Sequence, residues 1–86
     1  MRVTVRCFST VRERVGATEL ALDVPAGATL ADVVGRVSSR TASAAVLREW
    51  LASGHLQVAR NRTHAPAGAL VHDGDEVALF PPVTGG

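Results

Sequence analysis

Pro81 and Pro82 limit what this chain can fold into more than any other pair of residues. Each fixes φ near about −65° and lacks a backbone N–H. A sheet strand arriving from Glu76–Phe80 must therefore end there, and the chain beyond must run extended and outside the sheet. Gly85 and Gly86 close the sequence with the slimmest backbone available, having no Cβ atoms. At about 3.3 Å per residue, residues 81–86 reach roughly 20 Å, enough to enter another protein's active site. The competing reading is a frayed terminus, but frayed ends are rich in charge and poor in large apolar groups. This one opens with Phe80 and Val83 and carries no charged side chain. Ordering it costs roughly 6–12 kcal/mol of backbone entropy, and the prolines reduce that cost in advance. The composition describes a tail that binds, hung on a domain spanning residues 1–80.

Upstream, Arg2–Phe8 alternates Val3, Val5 and Cys7 against Arg2, Thr4 and Arg6, a strand with one wet face. Thr10 and Glu13 have capping-box spacing, and Gly16 supplies a left-handed stop, predicting a short helical turn between them. Thr18–Val24 resumes alternation and forms a hairpin with the first strand, ended by Pro25-Ala26-Gly27. Thr29 and Asp32 then cap a main helix whose Leu30, Val33, Val34 and Val37 fall on one face. A second helical segment over Ser43–Ser53 places Val46, Leu47, Trp50 and Leu51 on a stripe and stops at Gly54, with Trp50 as a packing anchor. Leu56 and Val58 begin another strand, Asn61-Arg62 turns, and Thr63–Gly68 reads as loop. Ala69–Val71 is briefly extended, His72–Asp75 turns, and Glu76–Phe80 sets Val77 and Leu79 against Ala78 and Phe80. This order is that of an α+β domain with one sheet packed on a main helix.

Self-sufficient catalysis needs a nucleophile, acid/base groups or a metal gathered in one pocket, and the sequence spells no such set. His55, His64 and His72 sit in or beside predicted turns with no ligand-pair spacing, and Asp73, Asp75 and Glu76 lack the twelve-residue calcium pattern, so no metal or bound cofactor is expected. Nine arginines against eight acids, spread along the chain, give no nucleic-acid footprint. No stretch is long and apolar enough to span a membrane, and the N-terminus has no signal-peptide core, which places the protein in the cytoplasm. Cys7, alone, is a small apolar strand residue. There is no lysine, so apart from the N-terminus no primary amine can attack the chain's own activated carboxyl group. What remains is that terminal carboxylate, inert until another enzyme activates it.

The run Asp73-Gly74-Asp75-Glu76-Val77-Ala78-Leu79-Phe80-Pro81-Pro82-Val83-Thr84-Gly85-Gly86 resembles the end of the small subunit of molybdopterin synthase, a ubiquitin-like sulfur-carrier family. Phe8 with Val11-Arg12-Glu13 and Gly16, and Val58-Ala59-Arg60-Asn61, are similar as well. The resemblance covers the whole chain and is most specific over the last fourteen residues. It implies a β-grasp fold, in agreement with the element order. It also implies that an E1-like enzyme adenylates Gly86 with ATP and that a sulfur donor converts it to a thiocarboxylate. The tail then delivers sulfur to cyclic pyranopterin monophosphate inside the large synthase subunit, in a heterotetramer whose catalytic groups belong to that large subunit. Gly86 is then the carrier position, Gly85 the clearance residue, and Pro81, Pro82, Val83 and Thr84 the threaded stem. Phe8 and Phe80 match an apolar docking patch. Family members often carry an apolar residue three positions after the asparagine matching Asn61, where this chain has His64. A sulfur carrier for thiazole, cysteine or thiolated tRNA, and a protein modifier joined to lysines, share the same activation chemistry.

Overall fold

The computed structural model describes residues 1–82; the tail residues Val83, Thr84, Gly85 and Gly86 lie outside them. Five strands form one sheet: β1 (Arg2–Cys7), β2 (Glu19–Asp23), β3 (Gln57–Arg60), β4 (Thr63–His64) and β5 (Glu76–Phe80). They lie in the order β2-β1-β5-β3-β4. β1 pairs antiparallel with β2, as the hairpin reading requires, and parallel with β5, which in turn runs antiparallel to β3. The last strand is thus the middle one. Helix α2 (Leu30–Ser38) covers one face, with α1 (Ser9–Val15) and α3 (Val46–Ser53) flanking it. This is the β-grasp arrangement.

The core follows from the alternation. Val3, Val5, Val77, Leu30, Val33, Val34, Val37, Leu47 and Leu79 are all completely buried between sheet and helices. The capping box of α2 is fully formed: Thr29 Oγ1 accepts from Asp32 N–H, and Asp32 Oδ2 accepts from Thr29 N–H at 2.9 Å. Those bonds hold the Asp32 carboxyl below its ordinary range. Burial pushes the Cys7 thiol up, as the small apolar role requires.

Three expectations change. Thr10 does not cap α1. Phe8 is tied into the sheet through its N–H to Leu79 O (3.1 Å), and its carbonyl accepts from Val11 and Arg12. The helix therefore begins directly after the strand, with Phe8 at the cap and no side-chain bond. Gly16 stops it in the left-handed region as expected. Helix α3 starts at Val46, because the buried Ser38 hydroxyl donates to Ala44 O (2.7 Å) and accepts from Leu47 N–H (3.1 Å), holding the residues before Val46 in a turn. Thr63 and His64 are not loop. Asn61 and Arg62 both take positive φ (49° and 68°), the conformation of a tight two-residue hairpin, and this pairs Thr63 with Arg60 and His64 with Ala59.

Candidate docking surface and tail base

The sheet face away from α2 carries the candidate site. Alternation in β5 sends Val77 and Leu79 into the core and leaves Glu76, Ala78 and Phe80 on the outer face, half-buried. Register places Gln57 beside Phe80, and Ala59 between Ala78 and His64. The His64 ring meets Phe80 edge-on, with centroids 5.5 Å apart at 77°. His64 thus supplies an aromatic surface where the resemblance leads one to expect an apolar side chain. On the other side of β5, Arg6 lies beside Ala78 and sets its guanidinium 5.7 Å from the Phe8 ring centroid. Phe8 is 41% exposed, one of two large apolar side chains open to solvent among the described residues. The outer face therefore runs from Phe8 across Arg6 and Ala78 to Phe80 and His64, an apolar strip crossed by Arg6, whose guanidinium also reaches Glu76 at 4.0 Å on the same face.

Pro81 and Pro82 leave this strip at the end of β5, half-buried. Pro82 borders a shallow recess with Gln57, His64 and Phe80 on one side and a groove containing Trp50 on the other. The stem thus starts as a ridge between two hollows. Of the expected site residues, Phe8, Phe80, Pro81 and Pro82 gather at one end of the sheet, while Val83, Thr84, Gly85 and Gly86 fall outside the described residues.

The opposite end is held by a clamp that sequence reasoning missed. Asn61 Nδ2 donates to Asp75 Oδ1 (2.9 Å), and Asn61 Oδ1 accepts from Glu76 N–H (2.9 Å). Asp75 Oδ2 also accepts from His72 N–H at 2.8 Å. These bonds tie the β3–β4 hairpin to the turn that launches β5, fixing that strand's register. In the sequence Asn61 and the residues around Asp75 belong to separate turns, and only the fold brings them together. Burial alone would raise the Asp75 carboxyl, but the bonds from Asn61 and His72 and the nearby charges of His72 and Arg60 outweigh it and lower its pKa. A depressed carboxylate stabilises the fold above its unfolded pKa and loses that contribution as pH falls through the folded value. Urea midpoints should therefore stay flat down to about pH 5 and fall below about pH 4, with a shallower fall in Asp75→Asn. An equal acid slope in that variant would remove Asp75 from the account.

Among the described residues no cluster of His, Cys, Asp and Glu can hold a metal ion, and no helix is long and apolar enough to cross a membrane. The fold is that of the ubiquitin-like β-grasp proteins, and sequence similarity places the chain among their sulfur carriers. More narrowly, the chain belongs to the ThiS family, which it matches over residues 5–86. It is 43% identical over 86 residues to the molybdopterin synthase sulfur carrier subunit of Escherichia coli (strain K12), with 98% of this chain and 99% of that protein covered. SAMP1 of Haloferax volcanii has a similar structure, with TM-score 0.81 and 31% identity over 100% of both chains; its name stands for small archaeal modifier protein 1. A chain in the complex of subunits 1 and 2 of molybdopterin-converting factor from Helicobacter pylori 26695 is similar at TM-score 0.64 and 25% identity, again over 100% of both chains.

Proposed function

We propose that the protein carries sulfur on Gly86 as the small subunit of a molybdopterin synthase. The full-length similarity to the Escherichia coli sulfur carrier subunit carries this reading. The apolar strip beside a proline stem is what such a role requires. The Gly86 carboxylate attacks the α-phosphate of ATP within an E1-like enzyme, giving an acyl adenylate and pyrophosphate. A sulfur nucleophile then displaces AMP and leaves a thiocarboxylate. The stem inserts the loaded end into the large subunit, which supplies the acid/base groups for transfer to cyclic pyranopterin monophosphate. This chain contributes position: a rigid sheet, a docking face and a thin arm. It binds no cofactor itself, and ATP is consumed by its activating partner. The test is intact-protein mass spectrometry of material from cells, followed by transfer with purified large subunit. One sulfur replacing one oxygen at the C-terminus, and molybdopterin formed from the precursor, are the expected results. A chain that is loaded yet inert with the large subunit would move the assignment to another sulfur pathway.

Phe80 makes the docking claim measurable. A buried aromatic anchor is worth about 2–4 kcal/mol, so Phe80→Ala should weaken association with the large subunit roughly 30- to 1,000-fold. The fold should survive, because Phe80 faces away from the core. Titration calorimetry with circular dichroism as a folding control measures both; equal affinities would exclude this face as the docking surface.

The similarity to SAMP1 favours one second reading, attachment of Gly86 to a lysine on a target protein. Isopeptide-linked adducts recovered from cells would establish it. Isopeptide chains of this protein on itself cannot form through lysine, since it has none.

A further inference from the structure

The groove on the helix side of the stem, about 430 Å³, is walled by Glu13 and Arg14 of α1, Trp50 of α3, His55, Pro81 and Pro82. Trp50 is the chain's only tryptophan, and it is only partly buried against the core. The Arg14 guanidinium lies over its ring, 5.5 Å from the centroid. Among the described residues, no carboxylate lies within ion-pair distance of Arg14. A guanidinium held over an indole face by cation–π attraction still has N–H groups available to a carboxylate acceptor. Apolar walls from Trp50 and the two prolines stand next to it.

We propose that this groove is a second docking surface, seating a segment of the large synthase subunit that presents an apolar side chain beside a carboxylate. The inference rests on the reading above that the stem enters that subunit. Pro82 belongs to both hollows, so a channel that swallows the stem must surround this ridge and meet the groove as well as the Phe80 strip. Continuity with the strip selects the occupant, and the charge of Arg14 selects its chemistry. The apolar side chain lies against Trp50, Pro81 and Pro82, and the carboxylate pairs with Arg14. Glu13, on the same wall and of opposite sign, repels a carboxylate placed at the wrong end and so fixes the direction in which the segment lies.

The single tryptophan gives a direct readout. Fluorotryptophan incorporated into this chain yields one fluorine NMR resonance from the groove, which unlabelled large subunit cannot obscure. Adding the large subunit should shift that resonance, and Arg14→Ala should weaken binding roughly tenfold with an unchanged thermal midpoint. Arg14→Lys, which keeps the charge but not the planar fork, should recover only part of the loss. Binding that needs Phe80 but leaves both the fluorine resonance and the Arg14→Ala affinity unchanged would overturn the groove and leave the carrier reading standing. A shift produced only by the activating enzyme would overturn the choice of occupant. No binding at all by the folded wild type would overturn both readings together.

Discussion

Deleting Gly86, or adding one residue after it, is expected to abolish sulfur loading without changing the thermal midpoint. Among the described residues the buried core ends at Leu79, seven positions before Gly86. Extension by one residue moves the reacting carboxylate by about 3.3 Å, and misplacement by about 1 Å can already cost on the order of 100-fold in rate. Deletion leaves Gly85 as the terminus, short of the activating centre by the same step. ATP–pyrophosphate exchange with purified activating enzyme, read beside intact mass, separates failure to adenylate from failure to accept sulfur. A truncated chain that still acquires a thiocarboxylate would sink the carrier mechanism.

Val34→Asp should unfold the domain. Val34 is completely buried on α2, flanked by Leu30, Val33 and Val37, all equally buried. A carboxylate there is desolvated with no designed partner, a change that costs about 4 kcal/mol or more. The entire stability of an 86-residue chain is only roughly 4–13 kcal/mol. Loss of the thermal transition and of near-ultraviolet circular dichroism is the expected outcome. A folded variant with an unchanged midpoint would mean that another face of α2 meets the sheet.

Much of this architecture was legible because local signals and tertiary demands agree. The alternation of Val3, Val5 and Cys7, and of Val77 and Leu79, marks the buried faces of β1 and β5, and Thr29 with Asp32 marks the start of α2. The misreadings share one physical cause, local chemistry overridden by a distant partner. Thr10 has cap spacing, but the sheet bond from Phe8 to Leu79 starts α1 earlier. Thr63 and His64 show no apolar alternation, and only their pairing with β3 makes them a strand. Phe80 and the prolines stand out in the sequence and Phe8 through the resemblance, and the fold brings them to one end of the sheet. The edge-on contact of His64 with Phe80 and the cation–π contact of Arg14 with Trp50 could not be read from the sequence, since each joins residues from separate elements.

The central position of β5 governs when the arm can exist. Without β5 the sheet divides into two hairpins, β1–β2 and β3–β4, which share no strand pairing. Pairing β1 with β5 closes a loop of about seventy residues, from Thr4 to Glu76, so the halves stay unjoined until that long-range contact forms. The residues that join the halves are covalently continuous with the tail, so assembly of the domain and delivery of a usable arm are one event. A chain lacking β5 has neither the joined sheet nor the outer face on which Phe80 stands.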